Sequence, residues 1–183
     1  MGKVGDIAAK QPAALRVLVT GAAGFIGSNT VEALLARGDE VVGLDSFDAY
    51  YDPQLKRRNV AEIRAVQPTA AFELIEGDIR DEALVHRLCR ERHFDAIVHL
   101  AALAGVRASI GQTKLYYDVN VNGSIHLLDA ARDHGVRSFV FASTSSVYGE
   151  TTKVPFLETD ACDKPLAPYP ASKRAVELLG YAY

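Results

Sequence analysis

Cysteine is scarce in this sequence. Cys89 and Cys162 are the only two in 183 residues, they lie far apart, and they form no metal-pair or redox-pair spacing. His86, His93, His99, His126 and His134 show no ligand spacing beside cysteines or carboxylates. A disulfide scaffold and a zinc module are therefore excluded, and no metal site is expected. Basic charge is not in excess: 20 Lys and Arg against 23 Asp and Glu give a formal net charge of −3, leaving no footprint for nucleic acid. No apolar run approaches the ~18 residues of a membrane span. The stretch Met1 to Ala14 lacks the apolar centre of a secretory signal and is expected to be a loose arm. Internal repeats and low-complexity segments are missing too. What remains is a reduced, cytoplasmic globular domain, long enough for one core and too short for two.

What is present is alternation. LRVLVT (15–20), EVVGLD (40–45), AFELIE (71–76), DAIVHL (95–100) and VRSFVFA (136–142) are short, rich in β-branched residues and apolar on both faces, as buried parallel strands are. Between them run helical patterns over 25–37, 53–66, 81–92 and 114–134, with a last one from about Tyr169. Asp52 precedes a proline at a first helical position, and Asp81 can cap the third helix. Strand–helix alternation with short links predicts right-handed crossovers and a doubly wound parallel α/β sheet over residues 15–183. A sheet of this kind normally adds a strand after such a helix, so the chain is expected to be the front of a larger protein.

The segment Gly21-Ala-Ala-Gly24-Phe25-Ile26-Gly27 follows the first strand and opens the first helix. Gly21 permits a tight turn, Gly24 lets the backbone approach a pyrophosphate, and Gly27 allows close packing of helix on sheet. The helix N-terminus offers free N–H groups and partial positive charge to the phosphates. Asp45, 18 positions after Gly27 and followed by Ser46, is placed to hold the adenosine ribose hydroxyls. Its charge repels a 2′-phosphate, which favours NAD over NADP. The plainer alternative for Asp45 is a turn cap. Arg57 and Arg58 could accommodate that phosphate, but a solvated helix face explains them more simply.

Tyr169-Pro-Ala-Ser-Lys173 puts a phenol and an ammonium on one helix face, their Cβ atoms ~6 Å apart. A phenol with a pKa of about 10 is a poor base at neutral pH, and a neighbouring ammonium favours the phenolate. The pair could move a proton to and from a sugar or alcohol hydroxyl. Alone, this spacing is a common helix accident; after the fifth strand of a dinucleotide fold it points to chemistry. Thr144, Ser145 and Ser146 sit at the carboxyl end of the fifth strand, where open parallel sheets bind ligands. A turn that satisfies its own backbone is the alternative there. His99 ends the fourth strand and reads as a packed residue rather than a proton carrier.

Taken together, GAAGFIG, GDIRD, HLAA, NVNGS, STSSVYG and YPASK resemble the extended short-chain dehydrogenase/reductase family of nucleotide-sugar epimerases and dehydratases, from Leu15 to the end. Within it, DSFDAYYDPQLK (45–56) and Ala104-Gly-Val-Arg107 look like UDP-glucuronate 4-epimerases. The resemblance implies NAD as cofactor, Tyr169 as base, Lys173 on the nicotinamide ribose and Thr144 on the sugar 4-oxygen. It also implies Asp78 and Ile79 at adenine, and Leu100, Ala101 and Ala102 along the phosphate and nicotinamide-ribose path, with Asn120 beneath. Arg107, Ser145 and Ser146 would face a UDP-sugar; an exposed loop arginine is the other reading of Arg107. Dehydratases of the family follow the threonine with an acidic pair that supplies acid and base for eliminating water. Serines stand here, which favours epimerisation. A decarboxylase, a reductase or a non-catalytic NAD-binding module are the remaining readings.

Two departures from the family pattern stand out. Ser109 to Lys114 lacks the usual asparagine–proline, and the C-terminal substrate domain is absent, so this chain is expected to hold NAD weakly and turn over little. Family helices over 114–134 and from Tyr169 pair between subunits, which implies a homodimer for the intact protein. Their apolar positions here are Val119, Val121, Ile125 and Leu128, and then Ala175, Leu178 and Leu179.

Overall fold

The computed structural model describes residues 13–66, 71–151 and 154–183. Most of the expected N-terminal arm thus lies outside the described residues. Five parallel strands, β1 (Arg16–Thr20), β2 (Glu40–Asp45), β3 (Phe72–Glu76), β4 (Ala96–His99) and β5 (Ser138–Phe141), line up in the order β3-β2-β1-β4-β5. The strand order reverses between β1 and β4, and the crevice outside that switch point is where such sheets bind ligands.

Side-chain alternation on β1 builds two cores. Leu18 points to one face with Val42, Leu44, Ile97, Val85, Leu88 and Leu127; Val17 and Val19 point to the other with Val31, Leu35, Val41 and Ile63. The first layer is closed by α3 (Glu82–Arg92) and α6 (Gly123–Asp133), the second by α1 (Phe25–Arg37) and α2 (Pro53–Val66). The Asp81 side chain accepts from Leu84 N at 2.9 Å, and that of Asp52 from Gln54 N at 2.9 Å ahead of Pro53, so both caps form where the sequence puts them.

Two expectations need correcting. β3 and β5 are the edges of the described sheet and are only partly covered; Val140 is 56 % exposed, so the fifth strand is not buried on both faces. The single helix expected over 114–134 is α5 (Thr113–Tyr117), a π-helical turn (Asp118–Asn122) and α6 in succession. The buried line is Tyr116, Asn120, Ser124, Leu127 and Leu128, at steps of three and four residues, while Val119, Val121 and Ile125 are half-buried. On α7 (Pro168–Ala182) the buried residues are Pro170, Ser172, Lys173 and Val176, and Leu178 faces outward. A short helix α4 (Val106–Ser109) and a 3₁₀ turn (Ser145–Tyr148) complete the structure.

Candidate functional site

The β1–α1 turn is shaped by close contact. Gly21 adopts φ 70°, and a Cβ there would stand 2.8 Å from Ala101 N. A Cβ on Gly27 would stand 2.0 Å from Gly21 O, so only glycine lets α1 start this near the strand. Gly24 is the N-cap of α1 and no side chain caps the helix. The first-turn N–H groups of Phe25, Ile26 and Gly27 have no intrahelical acceptor by geometry, which is the arrangement that receives an anion.

A cavity of about 570 Å³ opens at this turn and runs along the carboxyl ends of the strands. It is lined by Gly21, Gly24, Phe25, Ile26 and Gly27, by Asp45 and Ser46 from β2, and by Asp78 and Ile79 after β3. Leu100, Ala101 and Ala102 after β4, and Tyr169 and Lys173 of α7, complete it among the sequence-derived residues. Asn120, Arg107, Thr144, Ser145 and Ser146 do not line it. The cavity wall stops at Ala142 and Ser143.

Asp45 is buried, and its carboxylate accepts from Ala23 N (3.1 Å), Phe47 N (2.8 Å) and Lys56 Nζ (2.9 Å). The turn cap is observed: the carboxylate caps the turn after β2, and Asp45 also borders the cavity. Lys56, which sequence reasoning missed, is the cation nearest Asp45; its signal was the first turn of a helix that Pro53 opens toward the same sheet edge. Arg57 stacks over Phe47 at 4.6 Å and reaches Glu76, whereas Arg58 pairs with Glu62 and also lines the cavity, so Arg58 is more than a solvated face. Arg80, also missed, grips Asp78 and holds its carboxyl below the usual range through hydrogen bonding and charge.

At the other end, Lys173 is 4 % exposed and has no acceptor among the described residues; its ammonium lies 5.5 Å from the Phe141 ring centroid. Burial pushes its pKa down to about 8. Tyr169 lies one turn earlier, with the Tyr116 ring edge-on at 6.2 Å. Burial pushes Tyr116 itself up to about 12, so it stays a donor, to Ala104 O at 2.6 Å. The Asn120 amide is engaged with Leu103 N and O (2.8 and 3.0 Å) and donates to Ser172 Oγ (3.0 Å), which ties the strap after β4 to α7 under the cavity. Thr144 Oγ1 accepts from Ser146 N at 3.2 Å, as a self-satisfying turn does, and Ser145 and Arg107 are exposed.

His99 is fully buried between Thr20 Oγ1 (2.7 Å, Nδ1) and Ser124 Oγ (2.9 Å, Nε2). Thr20 Oγ1 accepts from Leu100 N and Ala101 N, both at 3.2 Å, so its hydrogen goes to Nδ1. Nε2–H then donates to Ser124, whose hydroxyl donates to Asn120 O. One tautomer satisfies every group, and burial beside Lys173 drives the ring's pKa down to about 3. His99 is thus a neutral packed residue, as its strand-end position suggests.

A parallel sheet with a glycine-lined helix start at its switch point, acidic residues after the next two strands and a buried lysine opposite defines a dinucleotide-binding α/β domain. Residues 18–183 match the family described as GDP-mannose 4,6 dehydratase, and the chain belongs to this family of extended short-chain dehydrogenase/reductases. It is 43 % identical over 170 residues to UDP-glucuronate 4-epimerase 4 of Arabidopsis thaliana, covering 92 % of this chain and 38 % of that protein. Among solved structures, the UDP-glucose 4-epimerase of Thermus thermophilus in complex with NAD is 40 % identical with a TM-score of 0.79, over 92 % of this chain and 50 % of that one. The dTDP-glucose 4,6-dehydratase of Streptomyces venezuelae with NAD bound is 39 % identical with a TM-score of 0.81, over 92 % and 51 %. The chain therefore spans about half the length, or less, of these relatives.

Proposed function

We propose that this chain is the NAD-binding part of a nucleotide-sugar 4-epimerase that interconverts UDP-glucuronate and UDP-galacturonate. The observation that carries the reading is the joined cavity: the glycine-lined helix start and Asp45 at one end, and Tyr169 with an unpartnered, buried Lys173 at the other. The residues fit the cofactor. First-turn N–H groups of α1 receive the diphosphate, Asp45 the adenosine ribose hydroxyls and the Lys173 ammonium the nicotinamide ribose. Bound there, NAD would supply a reversible hydride acceptor for C4 of the sugar. Tyr169 takes the 4-hydroxyl proton as the 4-keto sugar forms and gives it back as the sugar is reduced. Thr144 hydrogen-bonds the 4-oxygen, with Ser145, Ser146 and Arg107 on the substrate side; their position outside the cofactor cavity suits that division.

Elimination of water is the second reading, favoured by the family's dehydratase members. Ser145 and Ser146 supply no carboxyl group for it. Residues 15–183 form the cofactor-binding unit in this reading. Leu178, exposed on α7, supports a homodimer through that helix, and two cysteines with no disulfide between them suit the cytoplasm.

Calorimetric titration of the chain with NAD tests the carrying observation. Weak but saturable one-to-one binding is expected, and no binding at millimolar NAD overturns the reading. In the protein that carries this sequence, Tyr169→Phe should keep NAD and lose conversion of UDP-glucuronate. Unchanged turnover would remove Tyr169 from its role, and a 4-keto-6-deoxy product would decide for the dehydratase.

A further inference from the structure

The loops after β2 and β4 leave the sheet on either side of β1, since both strands pair with it. A contact between those loops therefore spans the cavity that opens at the turn after β1. One such contact is present. Asp48, Tyr50 and Tyr51 line the cavity from the first loop, and Leu103 and Ala104 line it from the second. The Tyr50 hydroxyl reaches across to Gly105, where a Cβ would stand 2.4 Å from it. We propose that Tyr50 and Gly105 form a clasp across the cavity, and that the dinucleotide binds and leaves only when the two loops part. This rests on the dinucleotide reading above.

Both sides of the clasp are fixed by groups of the protein. Gly105 takes φ 95°, a conformation that favours glycine, and offers the phenol a surface with no side chain in the way. The Tyr116 hydroxyl donates to Ala104 O at 2.6 Å, and the Asn120 amide holds Leu103 N and O. This loop is thus anchored from α5 and from the π-helical turn. Tyr50 and Tyr116 also hydrogen-bond through their hydroxyls. With the Tyr116 hydrogen committed to Ala104, Tyr50 is the donor between them.

The other loop is anchored at Phe47. It bends the chain at φ 52°, rare for so large a side chain, and its ring is buried with Ala23 and Val60. Tyr50 N donates to Asp48 Oδ1 at 2.8 Å, and the Tyr51 ring meets the Tyr50 ring edge-on at 4.8 Å. The phenol is therefore held at its backbone and its ring, and its hydrogen is spent on the protein rather than on a ligand. A clasp closed by the protein's own groups slows binding and release to the same degree and leaves affinity nearly unchanged. Fast release is not needed between turnovers when the hydride acceptor is reversible.

Stopped-flow fluorescence of NADH, bound and then displaced by excess NAD, tests the clasp in the protein that carries this sequence. Tyr50→Phe, which keeps the ring, should raise the association and dissociation rate constants together, by on the order of 5-fold. Tyr50→Ala should raise both by ~10-fold or more, with the dissociation constant within about 2-fold of the unmodified protein. Tyr116→Phe removes the acceptor from the other side and should match Tyr50→Phe, and combining the two should add nothing. It also repeats the measurement should Tyr50→Ala unfold. Faster dissociation alone, with affinity lost to match, makes Tyr50 an ordinary cofactor contact and overturns the clasp. Unchanged rates in all the variants overturn it as well. Both outcomes leave the dinucleotide reading standing, whereas an unmodified protein that binds no NADH brings down that reading and the clasp with it.

Discussion

The two ends of the cavity are built on opposite plans. On the β1–β2–β3 side the polar groups already have partners inside the protein: Asp45 with Ala23, Phe47 and Lys56, Asp78 with Arg80. On the β4–β5–α7 side Lys173 is buried without an acceptor among the described residues, Thr144 holds only its own turn, and β5 is a partly bare edge. The first side is pre-organised, so binding there costs little reordering. The second stores an unfavourable charge that a bound molecule would relieve. The polar groups of the cavity are thus divided between a finished half and an unfinished one.

The largest effect should come from breaking the finished half. Gly27→Ala drives a methyl group into Gly21 O and should lower stability by about 2–4 kcal/mol and abolish NAD binding, read by thermal unfolding and calorimetry. Stability and binding unchanged by that substitution would mean the turn is not the tight element it looks. The unfinished half should answer with the other sign. Lys173 falls from 10.5 unfolded to about 8 folded, so the unfolded chain holds more protons between those values and stability rises with pH across that window. Below pH 8 the strain is fully present, so Lys173→Met should stabilise the unliganded chain by on the order of 3 kcal/mol while weakening NAD. Destabilisation in that variant would show that the lysine is satisfied after all.

His99 sits at the seam between the halves. Its folded pKa of about 3 lies below the ordinary 6.5, so the unfolded chain binds the extra proton first. Stability should therefore fall as pH drops below 6.5, by about 1.4 kcal/mol per pH unit from this group, and the slope should flatten in His99→Gln. Urea melts at pH 7, 6 and 5 read it directly. The smallest effect, about 1 kcal/mol, is expected for Tyr116→Phe, which takes the donor from Ala104 O and keeps the ring against Tyr169.

Local signals in the sequence carried much of this. Glycine spacing, Asp45 at a strand end, the Asp81 cap and the four-residue step from Tyr169 to Lys173 each depend on neighbours in the chain. The structure bears out the cap and brings the glycines, Asp45, Tyr169 and Lys173 to one cavity. What stayed hidden depends on contacts across the chain. Lys56 and Arg80 stand inside the motifs DSFDAYYDPQLK and GDIRD, but no local signal pairs them with Asp45 and Asp78 until folding sets them side by side. A π-helical turn leaves no mark on a 3.6-residue pattern: the family resemblance alone points to Asn120, and nothing local tells the buried Ser124 from an exposed polar residue. Edge strands likewise look central when only their own residues are read: Val140 is as apolar as Val98, and only the absence of a further strand beside it in the described sheet exposes it.

The bond chain through Thr20 and His99 also sorts the cavity by hydrogen-bond polarity. Leu100 N–H and Ala101 N–H both end on Thr20, so neither is free to donate into the cavity. Across from them, the start of α1 presents only donors. A bound anion can therefore draw backbone donors from the α1 wall and none from these two N–H groups. The molecule that enters is oriented by which wall can give a hydrogen, before any charged side chain touches it.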